Sequence, residues 1–511
     1  MKNIKILFLT LTLLLVSFVS CKDKLEENVY SDLLTSNAFQ TEEDAAAVVI
    51  GVYRSLRSVG YNYYQTNYIK ATDVASDQGD QNGNDMNLGT WTNESGTITG
   101  LWNDAYGLIG AANLALKALS QIDMDETLKG RYEGEVKFLR ALGYYDLTFH
   151  FKDVILNLGQ NEDNKDLGLS PQSEIIAAII SDLTDAIALL PEMSAYSEED
   201  IGRASKGAAL SLRAKTHLNA GNWQAAADDA FAVINSGEHS LSLPYDQLFR
   251  RGNINDSEFI FSMKSSQLGD KNTVPKTYIS VQTLWGTVQS GGWGSITSTV
   301  GLYKSYDLND DRRKLFANGY NWKQREFDPE NPRGYYAIPG TPEVTDPGPA
   351  PGQELVDLLI APVIKYERPR GLAESGPSHD GGLNFPIIRY AEVILTRAEA
   401  LNELNGGSAE AVSLVNQVRA RAGLAGLPSG LSQTQLRDVI LEERGKEFFL
   451  EGKRRIDLIR HGKLIELWKA SLYARYPNTP ETTYNFEYIT KETHTYYPIP
   501  QSELDVNDNI N

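Results

Sequence analysis

An alanine-rich helical hairpin constrains this chain more than any other feature. Gly207-Ala208-Ala209-Leu210-Ser211-Leu212-Arg213-Ala214-Lys215 leads into Gly221-Asn222-Trp223, and a second helical run covers Ala225 to Val233. Small residues let two short helices approach closely across a tight Gly-Asn turn, which is the logic of tetratricopeptide hairpins with their ~34-residue period. A matching unit lies further on. Arg397-Ala398-Glu399 stands 184 positions after Arg213-Ala214-Lys215, and Ala411 and Val418 keep pace with Ala227 and Ile234. Its turn is Asn405-Gly406-Gly407. The spacing predicts helical repeats interrupted by a large insertion.

The rest of the chain supports a mainly α fold. Thr41-Glu42-Glu43-Asp44 before Ala45 to Leu56 offers a Thr cap with acids in the first turn, where the helix dipole favours them. Leu101, Trp102, Tyr106, Ile109, Ala112 and Leu116 recur at helical spacing within residues 100–120. Further helices are expected over 128–149 and over 173–190, the latter capped at Ser173 and stopped by Pro191. Towards the C-terminus, 436–450 reads as helix, Glu451-Gly452 as a stop or bend, 453–467 as renewed helix and 496–504 as extended chain. The middle, 253–384, differs. It holds Gly286, Gly291-Gly292 and Gly294, a proline-rich run from Pro339 to Pro351, and short strand-like runs at Phe259-Ile260-Phe261 and Val363-Ile364-Lys365-Tyr366. Residues 341–352 read as an exposed loop.

Composition narrows the chemistry. The 511 residues carry 48 Lys and Arg against 67 Asp and Glu, a net charge of −19 that repels phosphate backbones and argues against a nucleic-acid partner. One cysteine leaves neither a disulfide framework nor a cysteine zinc site. The six histidines form no i, i+3 or i, i+4 pair, so no helical metal site is expected. The sequence has no Gly-x-Ser-x-Gly, no P-loop lysine motif and no dinucleotide-binding glycine fingerprint, and no cofactor is implied. Asp80-Gln81-Asn82-Gly83-Asn84-Asp85 lacks the glycine position and closing Glu of an EF-hand and reads as a polar turn. Carboxylates are abundant, but no pair is singled out for glycosidase work. Arg389, Glu399, Glu443, Glu451, Arg455 and Asp457 read as structural ion-pair residues, with Glu451 and Arg455 spaced to meet on one helix face. No catalytic residue is expected.

The N-terminus sets the address. Lys2 and Lys5 precede an apolar run from Ile6 to Val19, the n-region and h-region of a secretory signal. The run is shorter than the ~20 residues of a spanning helix. Ser20-Cys21 closes it with the molecule's lone thiol, and the arrangement resembles a bacterial lipobox, which implies cleavage before Cys21 and its acylation. Acyl chains contribute ~0.8 kcal/mol per buried CH₂, enough to anchor a protein in lipid. Lys22-Asp23-Lys24-Leu25-Glu26-Glu27 forms a charged tether that resembles the surface-export signal of Bacteroidetes lipoproteins.

The aromatics suggest a ligand. The chain has 26 Tyr, 16 Phe and 7 Trp, and several fall in loop-like segments. A pyranose ring presents an apolar C–H face that can lie on an aromatic plate, while its hydroxyls need amides and carboxylates at the edge. Trp91, Trp293 and Trp322 are candidate plates, with Asp77 and Asn82 as polar partners. Asp73, Asp80, Gln81, Asn84 and Asn87 lie in the same stretch.

Several segments together resemble the SusD/RagB family, starch-utilisation-like outer-membrane glycan-binding lipoproteins of Bacteroidetes. They are the signal ending at Cys21, Leu101-Trp102-Asn103-Asp104-Ala105-Tyr106, Lys206-Gly207-Ala208 through Trp223, and Gly292-Trp293-Gly294 with Asp311-Arg312-Arg313. Stronger are Arg389-Tyr390-Ala391-Glu392 through Glu403, Glu442-Glu443-Arg444 through Leu458, and the ending Tyr497-Pro498-Ile499-Pro500-Gln501-Ser502-Glu503-Leu504. The resemblance implies a tetratricopeptide-like helical fold with a loop-rich insertion carrying short strands. It divides the chain into a signal peptide at 1–20, a lipidated tether at 21–40, a helical region at 41–252, a loop-rich ligand side at 253–385 and a helical region at 386–511. It also implies a surface receptor without catalytic activity, which captures oligosaccharides and delivers them to a SusC-like TonB-dependent transporter. Peptide or glycopeptide cargo on the same fold stays open, as does a lipid-anchored polysaccharide hydrolase.

Overall fold

The computed structural model describes residues 39–59, 70–77, 84–159, 167–253, 255–264, 296–316, 360–361, 365–366, 384–476 and 483–510. The first helix, α1 (Glu42–Val59), starts as its sequence dictates. Thr41 Oγ1 accepts from the Asp44 backbone N–H at 3.2 Å, and the Asp44 carboxylate accepts in return from the N–H groups of Gln40 (2.9 Å) and Thr41 (3.0 Å). Each bond satisfies a donor that has no partner within the helix. Strand β1 (Ala75–Asp77) and the short α2 (Asn84–Leu88) follow.

Two long helices come next, α3 (Gly96–Leu119) and α4 (Glu126–Phe151). Asp125 caps α4 by accepting from the Leu128 N–H at 2.9 Å. From Val136 onward, α4 is buried almost all round because α1, α3 and α5 (Gln172–Leu189) pack about it. A helix buried on every side is a central helix, and α4 carries Arg140, Asp146 and His150 into the interior with its apolar residues. The short strands β2 (Val154–Ile155) and β3 (Leu169–Ser170) pair antiparallel between α4 and α5. Pro171, rather than Ser173, holds the cap position of α5, consistent with proline's fixed φ at a helix entry.

The hairpin of α6 (Lys206–Asn219) and α7 (Trp223–Ser236) turns at Gly221, whose φ of +76° suits glycine. Arg213 spans the hairpin, donating to both carboxylate oxygens of Asp229 at 2.8 and 2.7 Å. An excursion follows, carrying β4 (Phe259–Met263), β5 (Ile296–Thr299), β6 (Ile360–Ala361) and β7 (Phe385–Arg389). The chain then resumes with α8 (Tyr390–Asn405) and α9 (Ala409–Arg421), and α8 packs directly on α7. The two units matched at 184 residues are therefore neighbours in space. Arg397, the counterpart of Arg213, pairs with Glu410 of α9 at 2.9 Å, donates to the Ala227 carbonyl at 2.8 Å and lies 4.5 Å over the Phe231 ring. Gly407 permits the second turn, since a Cβ there would stand 2.2 Å from the Leu431 carbonyl oxygen.

Antiparallel pairing of β4 with β7, Phe259 opposite Arg389 and Met263 opposite Phe385, brings the two ends of the excursion together. Beyond it come α10 (Gln433–Glu447), α11 (Arg454–Arg460) and α12 (Leu464–Arg475). Here the structure corrects three expectations. The helix expected to reach residue 450 ends at Glu447, because Leu450 (φ +60°) and Gly452 (φ +72°) reverse the chain. The helix expected over 453–467 is two, separated at Gly462 (φ +66°). The terminus is not extended throughout: Gln501–Leu504 makes a helical turn after Pro500. In the middle region, Lys365 and Tyr366 lie outside any strand, whereas Val363, Ile364 and residues 341–352 lie outside the described residues. No helix among the described residues is long and apolar enough to cross a membrane.

Candidate ligand-binding face

The sheet β1–β5–β6 is the part of the fold that mounts the expected ligand side. Asp77, the last residue of β1, pairs with Ile296, the first of β5, in an antiparallel ladder. The chain thus leaves β1 towards Asn82 at the same sheet end where it arrives from Trp293. In sequence, Asn82 follows the end of β1 by five residues and Trp293 precedes the start of β5 by three, so the two strand ends that meet here lead to candidate residues more than 200 positions apart. Asn82, Trp293, Trp322, Cys21 and the Asp77 side chain themselves lie outside the described residues.

The mount is fixed from both sides. Thr299 Oγ1 donates to the Asp73 carbonyl at 2.7 Å, and Ser298 Oγ donates to the Val74 carbonyl at 2.9 Å. Arg454 of α11 grips the Asp73 carboxylate with two bonds of 2.8 and 2.7 Å and donates to the Leu441 carbonyl at 2.6 Å. Two parallel N–H···O bonds from one guanidinium fix direction as well as distance. Asp73 therefore holds the sheet to the C-terminal helices.

Trp91 occupies a different place from an open plate. It is 7% exposed. Its ring stacks on Trp468 with centroids 5.5 Å apart and planes 2° apart, and it meets Tyr497 edge-on at 5.3 Å. His494 and the Arg455 guanidinium complete its surroundings, at 5.2 and 5.6 Å. The backbone before it is equally bound. Trp468 donates its indole N–H to the Asn87 carbonyl at 3.1 Å, and His494 Nε2 lies 2.9 Å from the Gly89 carbonyl. Asn87 is buried as well. In this structure Trp91 is the centre of a clasp between the N-terminal and C-terminal parts, and its faces are taken by protein.

The charged residues read as structural are all buried, and all but Arg455 are ion-paired, in two layers. In the first, Arg389 donates to Glu451 at 2.9 and 2.8 Å, to Glu447 at 3.0 Å and to Glu258. Arg312 binds Glu443 at 2.7 Å and Asp310 at 2.9 and 2.8 Å, while Lys365 binds Glu451 at 2.6 Å. These bonds tie the excursion to α10. Burial by itself would raise the Glu447 carboxyl, but Arg421, Arg389 and Arg312 outweigh it and hold it at about 2. Burial also brings Lys365 down to about 8 despite Glu451. Arg455 departs from its expected pairing with Glu451. It donates to the carbonyls of His494 (2.7 Å), Thr495 (3.2 Å) and Ala71 (3.3 Å) and lies 4.5 Å over the Tyr497 ring.

The second layer joins α6, α8, α10 and α11. Glu392 pairs with Lys453 at 2.6 Å and Lys215 at 3.1 Å, Glu399 with Arg460 at 2.6 Å, and Asp457 with Arg444 at 2.9 Å. Burial opposes ionisation of Glu392, yet Lys215, Lys453 and Arg444 hold it at about 2. The layer encloses a cavity of about 20 Å³, room for one water and not for a sugar ring. Glycoside hydrolysis needs a raised carboxylic acid beside a carboxylate, both open to substrate. Glu258 is raised by burial and neighbours Glu447, but both have no exposed surface. Substrate does not reach them. Among the described residues no group of three or more His, Cys, Asp or Glu side chains is placed to hold a metal ion.

Comparison with known proteins now identifies the class. The family model described as the SusD family matches residues 373–511, and the one described as "Starch-binding associating with outer membrane" matches 23–218. The chain belongs to the SusD/RagB family. It is 29% identical to SusD-like protein P2 of Formosa agariphila over an alignment of 540 positions, covering 100% of this chain and 99% of that relative. Among solved structures, a SusD homologue from Bacteroides thetaiotaomicron superposes with a TM-score of 0.78 at 25% identity, covering 92% of this chain and 96% of the other. A laminarin-binding SusD-like protein superposes at 0.71 with 25% identity, covering 92% and 98%.

Proposed function

We propose that this chain is a non-catalytic receptor for oligosaccharides, held at the outer membrane by acylated Cys21, which passes its cargo to a SusC-like TonB-dependent transporter. The observation that carries the reading is likeness over nearly the whole fold to a SusD-like protein that binds laminarin. The starch-binding description of the family model over 23–218 points the same way. The β1–β5 ladder supports a binding face built from segments far apart in sequence, with Asp77, Asn82, Trp293 and Trp322 as its contacts. Trp91 belongs to the clasp.

Replacing Trp293 or Trp322 with Ala should weaken glycan affinity by about 1–3 kcal/mol, the range of a buried aromatic anchor. Unchanged affinity in both variants removes these residues from the face. Metabolic labelling with a fatty acid should mark the wild-type protein and leave Cys21→Ser unlabelled. Equal labelling of the two refutes the anchor.

A further inference from the structure

An exposed tyrosine shelf stands beside the foot of the proposed binding face. In residues 483–488, Phe486 is 4% exposed, while Tyr484 and Tyr488 on either side are 39% and 45% exposed. Phe486 serves as the root. It meets Tyr473 of α12 edge-on at 5.1 Å and lies parallel to Tyr484, 6.3 Å away with planes 4° apart. Tyr476 packs against Tyr484 at 5.2 Å. The Tyr473 hydroxyl donates to Glu487 at 3.0 Å and accepts from the Phe486 N–H at 3.2 Å, and Lys469 reaches the other oxygen of Glu487. The rings are held before any ligand arrives, so binding to them costs little ordering entropy.

Its position gives the shelf a purpose. The Tyr488 hydroxyl donates to the carbonyl of Leu88 at 2.6 Å. Leu88 ends α2, which begins at Asn84, two residues after Asn82. The shelf therefore adjoins α2, the helix that follows the candidate contact Asn82 in the chain. Its rings are amphipathic tyrosines rather than aliphatic side chains, and Asn485 and Glu487 lie exposed between them. Flat apolar faces with polar groups at their margin suit a pyranose better than an apolar protein surface.

We infer that Tyr484 and Tyr488 form an outer glycan subsite, which holds the part of a long chain that runs beyond the main binding face. The inference rests on the receptor reading and deepens it. The test titrates the full-length chain, purified in detergent, with laminarin and soluble starch and with short oligomers of each. Variants are Tyr484→Ala, Tyr488→Ala, Tyr484→Phe and Trp322→Ala. The two tyrosine-to-alanine changes should each weaken binding of the long polymer about 3- to 10-fold and leave the short oligomers unaffected, while Tyr484→Phe, which keeps its ring, stays near wild type. Equal affinity of both alanine variants for the polymer overturns the subsite. If Trp322→Ala still weakens binding in that case, the main face stands without the shelf. No binding of any probe by the wild-type chain overturns the receptor reading, and the subsite with it.

Discussion

Trp91 and Tyr484 come from similar sequence, and the fold treats them oppositely. Both are aromatics outside long helices, with polar neighbours on each side. Trp91 is enclosed because Trp468, His494, Tyr497 and Arg455 converge on it from the far end of the chain. Tyr484 has support on one side only, from Tyr476 and Phe486, and keeps the remainder of its ring in water. The lesson is that an aromatic's role is decided by how many distant segments reach it. Local composition does not report that number.

Acid should break the enclosed region most completely. Glu392 and Glu447, each held at about 2, bind protons more weakly in the folded chain than their ordinary value of 4.5 would give. Their contribution to stability is present above about pH 4.5 and is lost as pH falls towards 2. Circular dichroism and tryptophan fluorescence followed from pH 7 to pH 2 should show loss of tertiary structure and exposure of the clasp within that window. A flat response would contradict the stabilising role given to the charged layers.

Truncating the ring at the centre of the clasp comes next. Trp91→Ala should cost about 3–5 kcal/mol of stability, read from urea unfolding, as large-to-small changes at buried aromatics do. Gly89→Ala is expected to be milder, about 1–3 kcal/mol, because φ is +72° and the new Cβ would lie 2.7 Å from the Trp468 ring. Tyr484→Ala should cost less, about 1 kcal/mol, because its ring packs only on Tyr476 and Phe486 and is otherwise in water. A stability loss for Tyr484→Ala that matched Trp91→Ala would erase the distinction between clasp and shelf.

Much of the fold was legible because its signals are local. The Thr41 cap, the apolar spacing in α3 and the Gly turns of both hairpins are all decided within a few residues. The 184-residue match between Arg213 and Arg397 was legible too, since equivalent positions in repeats meet equivalent neighbours. What escaped were outcomes set by distant contacts. Glu451 has Arg455 one turn away by spacing, yet the reversal at Leu450 and Gly452 turns it to Arg389 and Lys365. Glycine at 462 splits a helix whose apolar pattern runs on without interruption. Trp91 read as a plate because nothing near it in sequence indicates Trp468. The shelf at Tyr484 and Tyr488 does have a local signal, the Tyr-x-Phe-x-Tyr pattern of 484–488, but the packing of Phe486 on Tyr473 that leaves its neighbours open is again a distant contact.

The central claim is capture of a glycan without cleavage. Calorimetric titration of the full-length chain with laminarin, soluble starch and other polysaccharides, followed by an assay of each mixture for new reducing ends, tests it most directly. The account predicts saturable binding to one glycan class and no new reducing ends over hours of incubation. Silence across the panel, or reducing ends that accumulate with time and protein concentration, would contradict it.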